Sequence, residues 1–535
     1  MSFRIGIDVG GTHTDAVILD DADKLIWAEK VDTTEDVSTG INQALEKVLQ
    51  NSSVDRKKII AVMFGTTHCT NAVVERKNLT HVGLLRIAKP ATLGISPLFS
   101  LPKDLRDAIG DTWAIVSGGH EFDGKEIWAF DEKATREAAE DFRSRGVESV
   151  AIISVFSPVN AVHEERAAKI FSEVMGSSVP ITLSHEIGSI GLLERENASA
   201  LNAALMRVAR RAISGFVDAV NASGLSSAKI YLTQNDGTLM SVDYARKYPV
   251  KTIASGPTNS MRGAAFLTGV TDGVIVDIGG TTALVGAIVH GFPRESNIAV
   301  EIGGARTNFR MPDLIAVSCG GGTLIKFDQY GVQVGPKSVG FRITKESVAW
   351  GGSALTTTDV SLGLGYAKVD DPLSKSERVS NSFTRQQLEQ ARDKILTIVE
   401  DSVDRMKTSA EPVEVVLVGG GGIIVPEEYY GKFRGVSKVI RPGHFQYANA
   451  IGAAIAQASG EVDRIYELDK MNREQALEKA KQEAVQDAVN AGADPSTVSI
   501  VEAEELPLSY LPGLALRIRA KAVGKLNLWR KAVGN

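Results

Sequence analysis

Cysteine is scarce in this chain of 535 residues, which contains only Cys69 and Cys319. Two cysteines cannot build a disulfide framework, and alone they cannot supply a thiolate zinc site. Two isolated thiols are typical of a protein from a reducing compartment. We therefore expect both thiols to be free and the protein to be cytoplasmic.

Long apolar runs and an excess of basic charge are also missing. The longest runs, such as Val150–Phe156, fall far short of the ~20 residues that a membrane-spanning helix needs. The first residues do not resemble a signal peptide. Lys and Arg number 59 against 65 Asp and Glu, a net charge of −6. We therefore expect neither a membrane nor a nucleic-acid partner.

Strand and helix patterns alternate along the first half of the chain. Residues 148–156 have a strand pattern, with charged helical patterns at about 132–145 and 161–175 on either side. This alternation predicts an α/β architecture. Apolar residues then recur every three or four positions over about 197–222, which predicts one long amphipathic helix.

The last part of the chain has a different pattern. Residues 462–490 are rich in charge and predict a helix, whereas 498–501 and 514–522 alternate as strands do. We expect a small C-terminal α/β appendage.

Glycine is abundant, with 51 residues, and one glycine motif occurs twice. Ile5–Thr12 and Val274–Thr281 each consist of an apolar strand, an aspartate, an apolar residue and Gly-Gly-Thr. The copies lie about half the chain apart, which predicts a duplicated domain and not a short-period repeat.

The repeated motif suits a polyphosphate. A glycine turn between two strands lets backbone N–H groups approach an anion, and threonine hydroxyls add donors. Asp8 and Asp277 offer the hard oxygen ligands that Mg²⁺ prefers, directly or through water. One such turn alone is common in any tight hairpin, but two facing hairpins would grip a polyphosphate from both sides. The predicted phosphate contacts are Gly10, Gly11, Thr12, Thr14, Gly279, Gly280, Thr281 and Thr282.

A third glycine element follows the strand Val415–Val418. Its four glycines, Gly419, Gly420, Gly421 and Gly422, predict a flat backbone platform that a purine and ribose can approach closely. Neither a P-loop nor a convincing dinucleotide-binding fingerprint occurs in the sequence.

These three elements form an ordered set with several other segments. The set comprises Asp8–Asp15 (DVGGTHTD), Phe64–Lys77 (FGTTHCTNAVVERK), Glu194–Ala203 (ERENASALNA), Gln234–Thr238 (QNDGT), Ser255–Pro257 (SGP), Asp277–Thr281 (DIGGT), Ser318–Thr323 (SCGGGT), Val334–Gly340 (VGPKSVG), Thr358-Asp359, Gly419–Gly422 and Asn449–Ala453 (NAIGA). In this order they resemble the actin/sugar-kinase/Hsp70 ATPase superfamily and, within it, the hydantoinase A/5-oxoprolinase family. The resemblance covers roughly residues 3–460.

The chain departs from the family pattern in three places. Gly340 runs on to Phe341-Arg342-Ile343-Thr344 where family members often carry a PGPACY stretch. The family's SNGG segment is represented by Gln234-Asn235-Asp236-Gly237. The last ~75 residues do not match the larger C-terminal domain of long members. These differences bear on the substrate more than on the use of ATP.

The resemblance implies two actin-like (ribonuclease H-like) ATPase domains with a cleft between lobes. We expect residues 1–190 to form an N-terminal lobe with the first phosphate hairpin. Residues 191–460 would form a second lobe with the other hairpin and the adenosine-binding glycines. Residues 461–535 would form the appendage.

The resemblance also implies ATP-dependent hydrolysis of a cyclic amide, such as a hydantoin, 5-oxoproline or a lactam. This chain would phosphorylate the amide carbonyl with Mg-ATP, and a B-type partner subunit would complete the hydrolysis. Asp8 and Asp277 would organise Mg²⁺, and Asp236 would orient the acceptor or a water molecule. A turn-capping role for Asp236 is an equal alternative.

Four further residues are candidates for contacting the substrate: Thr66, Thr67, Asn71 and Glu196. Each also has a structural alternative, in a turn, on a solvated helix face, or at a helix start where an acidic residue suits the dipole.

Two other functions remain open at the level of sequence. The same fold could serve as a carboxylase subunit of the acetone or acetophenone type, activating bicarbonate or an enol. It could also be an actin-like ATPase without a metabolic substrate. The sequence names neither the amide nor the oligomeric state, and a homo-oligomer is compatible with it.

Overall fold

The protein is described here from a computed structural model. The structure describes residues 2–10, 13–32, 37–188, 190–296, 300–308, 311–468, 471–508 and 515–527. Gly11 and Thr12, two of the predicted phosphate contacts, lie outside these residues.

The strands are numbered in chain order. They are β1 (Phe3–Val9), β2 (His13–Asp20), β3 (Leu25–Asp32), β4 (Ile59–Thr66), β5 (Val82–Lys89), β6 (Thr112–Ser117), β7 (Ser149–Ser154), β8 (Ile181–Leu183), β9 (Lys229–Thr233), β10 (Thr238–Ser241), β11 (Gly273–Ile278), β12 (Ala283–Val289), β13 (Phe292–Pro293), β14 (Val300–Ile302), β15 (Ala305–Thr307), β16 (Leu314–Val317), β17 (Thr323–Asp328), β18 (Gly331–Ser338), β19 (Val413–Val418), β20 (Val436–Ile440), β21 (Gln457–Glu467), β22 (Ser499–Pro507) and β23 (Ala515–Gly524).

The α-helices are numbered in the same way. They are α1 (Val37–Ser52), α2 (His68–Glu75), α3 (Lys103–Ile109), α4 (Glu132–Ser144), α5 (Val162–Met175), α6 (Leu192–Ala222), α7 (Val242–Lys247), α8 (Ser255–Thr268), α9 (Ile343–Glu346), α10 (Thr357–Gly363), α11 (Ser376–Ser382), α12 (Arg385–Met406), α13 (Ala448–Ile455) and α14 (Arg473–Asn490). Among the described helices, none is both long and apolar enough to cross a membrane.

Two sheets share one topology, which confirms the predicted duplication. In the first sheet, β1 pairs antiparallel with β2 and parallel with β4, and β3 and β9 flank these strands. In the second sheet, β11 pairs antiparallel with β12 and parallel with β19, and β16 and β20 take the flanking positions. Each domain therefore has the mixed five-stranded core of an actin-like fold, and the hairpins β1–β2 and β11–β12 occupy equivalent places.

Alternation along β1 explains how the first sheet is covered on both faces. Ile5 and Ile7 pack into the core that includes α1 and α6, whereas Gly6 faces α13. A Cβ at Gly6 would lie 2.1 Å from the carbonyl oxygen of Ala450, so only glycine admits the helix this closely.

Helices α8 and α13 cross between the two sheets. A Cβ at Gly263 of α8 would lie 1.9 Å from the Ala448 carbonyl oxygen, and one at Gly452 of α13 would lie 1.8 Å from that of Asn259. Glycine thus allows the two backbones to touch, with α8 packed on the second sheet and α13 on the first. Both helices begin close to the first glycine hairpin.

A four-stranded parallel sheet, ordered β6-β5-β7-β8, lies between β4 and α6 in the chain and packs with α4 and α5. Helix α6 confirms the predicted long helix and starts five residues before its predicted beginning at residue 197. The predicted strand at 148–156 corresponds to β7.

The C-terminal unit, made of β21, α14, β22 and β23, extends the first sheet through pairing of β21 with β10. The two predicted C-terminal strands are confirmed, but the helix predicted over 462–490 is wrong in its first part. Residues 462–467 belong to β21, with Val462 and Tyr466 buried on one face, and α14 begins only after Asn472, whose side chain caps it.

Strand pairing also crosses the predicted domain boundaries at 190 and 460. Strands β9, β10 and β21–β23 all continue the sheet that begins with β1. The division into residues 1–190, 191–460 and 461–535 stays a prediction, and the chain returns to its first sheet twice.

Candidate active site

The two glycine hairpins are closed by equivalent hydrogen bonds. The Gly10 N–H donates to the His13 carbonyl at 3.0 Å, and the Gly279 N–H donates to the Thr282 carbonyl at 2.9 Å. Each aspartate stands two residues before its glycine, at the carboxyl end of a strand that is mostly buried. Equal spacing in the sequence thus gives two equivalent turns.

Asp8 lies in a crowded, buried pocket. Its Oδ2 accepts a hydrogen bond from Asn449 Nδ2 at 3.3 Å, and its Oδ1 is buried without a hydrogen-bond partner in the described part of the chain. Gly65 lies opposite, where a Cβ would come within 2.7 Å of Oδ1 and 2.6 Å of Asn259 Nδ2. An unsatisfied buried carboxylate oxygen is costly, so this atom is suited to bind a cation or its water shell.

Charges from both hairpins act on Asp8. Burial raises the pKa of Asp8 to about 7, with further contributions from the neighbouring Asp15 and from Asp277 of the other hairpin. Burial likewise raises the pKa of Asp277, an effect that the Ser260 hydroxyl and Lys30 oppose. The carboxylates of the two hairpins therefore influence each other's pKa, and among these interacting groups the carboxylates outnumber the one lysine.

Lys30 is that lysine, and it is held by Asp15. The two residues are opposite each other in the pairing of β2 with β3 and form an ion pair. Burial raises the pKa of Asp15, although Lys30 opposes the shift. Lys30 is therefore paired with Asp15 and not with Asp8 or Asp277, and the binding of a divalent cation by these two carboxylates stays a prediction. Their hard oxygen donors fit Mg²⁺.

The second hairpin is supported by the glycines that follow Cys319. The N–H groups of Gly321 and Gly322 donate to the carbonyls of Gly279 and Gly280 at 2.9 and 2.7 Å. The hydroxyl of Thr358, on α10, in turn donates to the Gly321 carbonyl at 2.8 Å. This stack of three backbones fixes the hairpin. This backbone packing accounts for the glycines that follow Cys319. Burial raises the pKa of the Cys319 thiol to about 12, which disfavours the thiolate that a catalytic role would need.

The four glycines after β19 lie directly beside the second hairpin. A Cβ at Gly419 would lie 2.2 Å from Asp277 Oδ1, and one at Gly421 would lie 2.5 Å from the Gly279 carbonyl oxygen. At Gly420, by contrast, a Cβ would meet nothing within 4 Å. Gly419 and Gly421 are needed for close packing, whereas Gly420 faces open space. Gly422 lies against the ring of Phe445.

Thr66 and Thr67 lie at the first hairpin, as expected for residues of the site. The Thr67 hydroxyl donates to the Val9 carbonyl at 3.4 Å, and the Ser255 hydroxyl at the start of α8 donates to the Thr66 carbonyl at 3.3 Å. Asn71 is exposed one turn further along α2, with Nδ2 3.5 Å from Thr67 Oγ1. Their contact with a substrate stays a prediction.

Glu196 is not part of this cluster. Its carboxylate is fully buried in a two-bond ion pair with Arg86, at 2.7 and 2.8 Å, and also accepts the Leu98 N–H at 2.9 Å. These contacts hold the segment after β5 against α6. The structure therefore assigns Glu196 an internal structural contact in place of the predicted substrate contact.

Asp236 is engaged by residues outside the cleft. Its Oδ2 lies 2.9 Å from Lys521 Nζ, and its Oδ1 accepts the Thr238 hydroxyl at 2.6 Å. Although burial opposes the shift, Lys521 and Thr238 hold the pKa of Asp236 below its usual value. The turn-capping alternative accounts for these contacts, and the role in orienting an acceptor stays a prediction.

A separate cluster of His120, Glu126 and His163 lies at the carboxyl edge of the four-stranded sheet. His163 Nδ1 accepts the Gly119 N–H at 3.0 Å, so the ring proton is on Nε2, which lies 2.9 Å from Glu126 Oε1. A metal at Nε2 would displace that proton and leave both ring nitrogens without one. The contacts therefore favour a hydrogen-bonded cluster over a metal site.

Asn449, Asn259 and Lys30 were missed as site residues by the sequence analysis. Each acts on Asp8 or its neighbours from an element distant in the chain. Only Lys30 had a local signal, since it is opposite Asp15 when β2 and β3 are paired as a hairpin.

Two family models match this chain over most of its length. Residues 4–175 match the hydantoinase/oxoprolinase N-terminal region, and residues 195–462 match hydantoinase/oxoprolinase. The chain belongs to the hydantoinase/oxoprolinase family. The resemblance inferred from the ordered motifs is thereby confirmed.

Relatives within this family are named for different enzymatic reactions. The chain is 28% identical to caprolactamase subunit alpha of Pseudomonas jessenii, over 75% of this chain and 60% of that protein. It is 27% identical to the acetophenone carboxylase gamma subunit of Aromatoleum aromaticum, over 70% of this chain and 55% of the relative. The chain thus spans little more than half the length of these relatives.

The fold also matches a solved structure in this family. The crystal structure of ATP-dependent caprolactamase from Pseudomonas jessenii superimposes with a TM-score of 0.77 at 20% identity, covering 98% of this chain and 88% of that one. The shared fold includes the C-terminal unit, most of which lies beyond the two family models.

Proposed function

We propose that this chain uses ATP to activate a cyclic amide for hydrolysis. One observation carries the proposal: two aspartate-glycine hairpins share one electrostatic environment, with a glycine platform packed against the second. Phosphoryl transfer needs mainly positioning and neutralisation of charge, and this arrangement supplies both. ATP is the phosphoryl donor, and the amide is the acceptor.

The chain's own residues would act on the phosphates through backbone groups. The turns that follow Asp8 and Asp277 are rich in glycine, so a phosphate could approach their backbone closely, and α8 and α13 begin beside Asp8, where helix N-termini favour negative charge. The open face at Gly420 would receive the adenosine.

A bound Mg²⁺ would neutralise charge on the transferred phosphoryl group, and Asp8 and Asp277 would hold it directly or through water. Both carboxylates must be ionised for this task. Because burial raises the pKa of Asp8 to about 7, cation binding by this side chain is coupled to loss of a proton near neutral pH.

The proposed reaction begins with attack of the amide carbonyl oxygen on the γ-phosphorus, which forms a C–O–P linkage while the bond from the γ-phosphorus to the β,γ-bridging oxygen breaks and ADP leaves. Water then adds to the activated carbon, the ring C–N bond breaks, and the amine leaves with a proton, which gives an acyl phosphate. A second water attacks the acyl carbon and the C–O bond to phosphate breaks, so that a carboxylate remains and the released phosphate keeps the former carbonyl oxygen. We propose that a B-type partner subunit completes this hydrolysis, by analogy with relatives that are named as subunits.

A carboxylase subunit is the second candidate, favoured by the similarity to the acetophenone carboxylase gamma subunit. The hairpins and the glycine platform suit either acceptor, since both reactions begin with phosphoryl transfer from ATP. The match to caprolactamase extends over a larger share of both chains, so the cyclic amide is preferred.

The deciding experiment measures ADP release by the purified chain with Mg-ATP and 5-oxoproline, hydantoins, simple lactams or bicarbonate. We expect stimulation by one cyclic amide, and none in the Asp277→Asn variant. With the amide labelled by ¹⁸O at the carbonyl, the label should appear in phosphate once hydrolysis is complete. Stimulation by bicarbonate alone, with no response to amides, would instead support the carboxylase.

A further inference from the structure

A cavity of about 290 Å³ lies at the opposite end of β1 from Asp8. Its walls come from Ser2–Arg4, the β2–β3 turn, the second half of α8, the end of α13 and the end of β23. Because a strand rises about 3.3 Å per residue, the cavity is roughly 15 Å from the hairpin site. It is therefore separate from the hairpin site that is proposed to bind nucleotide.

Arg262 of α8 brings a positive charge to this cavity. Its guanidinium donates to the Gly291 carbonyl at 2.6 Å and to Gln457 Oε1 at 3.0 Å, and its carbon lies 3.9 Å from the centre of the Phe292 ring. No described carboxylate lies within ion-pair distance of Arg262, and its Nε is buried without a hydrogen-bond partner in the described chain.

This arginine remains charged at neutral pH, because burial lowers its pKa only to about 10. The charge of Asp236 opposes this shift, although Asp236 forms no described ion pair with Arg262. Buried charges are normally paired, and a ligand carboxylate in the cavity would pair with Arg262 directly.

The β2–β3 turn brings negative charge to the other side. Asp23 pairs with Arg4, and Asp20 accepts the N–H groups of Ala22 and Lys24 at 2.9 Å each. Asp21 is exposed and takes part in no described hydrogen bond.

Lys525, which lies 3.5 Å from Asp23, also lines the cavity, so Arg4 and Lys525 offset part of the negative charge of the three aspartates at the turn. Much of the remaining wall is apolar and includes Phe3, Ile60, Met63 and Phe266. A hydrocarbon chain would bury apolar surface there, which is favourable. The walls thus combine the positive charge of Arg262, a turn at which the aspartates outnumber the two cations, and an apolar surface.

We propose that this cavity binds a small zwitterion, with its carboxylate at Arg262, its ammonium at Asp21 and a short hydrocarbon chain against the apolar wall. A ring-opened lactam is an amino acid of this class. The identification of the ligand with the reaction product rests on the proposed function, whereas the charge pattern does not.

The test is calorimetric titration of the nucleotide-free chain with 6-aminohexanoate, 5-aminopentanoate and glutamate. Hexanoate and hexylamine, which carry one charge each, are the matched comparisons. We expect one zwitterion per chain and at least tenfold weaker binding of both singly charged compounds. Absence of binding by all three zwitterions would overturn the proposal.

Variants separate this cavity from the cleft. We expect Arg262→Gln to weaken binding at least tenfold and Asp21→Asn about fivefold, with Asp277→Asn and the exposed Asp32→Asn unchanged. Asp21 is on the surface, so its variant tests the proposal even if Arg262→Gln folds poorly. Binding that is lost in Asp277→Asn but retained in Asp21→Asn would assign the ligand to the cleft and overturn the cavity site.

The result of this titration can be interpreted whether or not the proposed function is correct. Zwitterion binding without amide-stimulated ADP release would support the cavity and count against the amide reaction. Amide-stimulated ADP release without zwitterion binding would support the amide reaction and count against the cavity site.

Discussion

At the scale of single residues, the charge near the first hairpin depends on Asp8, Asp15 and Asp277, with Lys30 paired to Asp15. Asp8 is the most constrained of them, because it is buried between Asn449 and Gly65 and has one oxygen without a described partner. This arrangement is unfavourable for an ionised carboxylate unless a cation is bound.

The first prediction concerns the two hairpin aspartates. We expect Asp8→Asn and Asp277→Asn to keep the fold and to lower ATP turnover by on the order of a hundredfold, since an amide cannot replace a carboxylate toward Mg²⁺. ADP release and circular dichroism measure the two effects. Asp32→Asn is the matched control, because that side chain is 93% exposed beside the same hairpin. Unchanged turnover in both cleft variants would contradict the two-hairpin site.

The second prediction concerns pH. The pKa of Asp8 is raised to about 7, so its carboxyl is neutral below that pH and ionised above it. Binding of Mn²⁺, used as a probe for Mg²⁺ and measured by electron paramagnetic resonance, should therefore be about tenfold weaker at pH 6 than at pH 8. The metal-free fold, conversely, should lose stability as the pH rises through 7, because ionised Asp8 is disfavoured by burial. Affinity independent of pH would show that Asp8 is not the coupled group.

At the scale of elements, the glycine platform and the second hairpin form one packed unit. Gly321 and Gly322 hydrogen-bond to the hairpin, and Gly421 packs on it, so the turn depends on three segments that are distant in sequence. At Gly421, a side chain would collide with the backbone of the second hairpin.

Two neighbouring glycines give the third prediction. Gly421→Ala places a Cβ 2.5 Å from the Gly279 carbonyl oxygen and should lower the free energy of unfolding by about 1–3 kcal/mol, measured by urea denaturation. Gly420→Ala meets nothing within 4 Å, so stability should hold while affinity for a non-hydrolysable ATP analogue falls. A loss of stability in Gly420→Ala equal to that in Gly421→Ala would contradict the open-platform geometry.

At the scale of the whole molecule, Lys521 joins three parts of the chain. It projects from β23 of the C-terminal unit and lies 2.9 Å from Asp236 at the turn between β9 and β10. It also lies 2.8 Å from Glu295, which follows β13 of the second sheet. The C-terminal unit therefore connects the two domains through this ion pair network, and it also extends the first sheet.

The fourth prediction tests this junction. Lys521→Met leaves Asp236 and Glu295 buried without their shared cation, which should cost about 3–5 kcal/mol of unfolding free energy. Lys525→Met, just beyond the same strand and 68% exposed, should cost less than about 1 kcal/mol. Urea denaturation of both variants makes the comparison. Equal stability of the two would show that the junction does not hold the domains together.

Much of this architecture was predictable because its signals are local. The two Asp-x-Gly-Gly-Thr motifs, each after a strand pattern, predicted equivalent hairpins, and the strand pairing confirms them. The long helix α6 followed from its apolar spacing. Strand alternation, helix periodicity and turn glycines can each be read within a window of about twenty residues.

The sequence by itself therefore determined the family, the duplicated actin-like domains and the two equivalent hairpins. Tertiary structure alone decided which polar groups meet: Asn449 at Asp8, Arg86 at Glu196, and Lys521 at Asp236. It also decided that residues 462–467 form part of a strand, since pairing with β23 outweighed their helical pattern. The physical reason is that burial and ion pairing depend on partners hundreds of residues away, whereas backbone turns depend on neighbours in the chain.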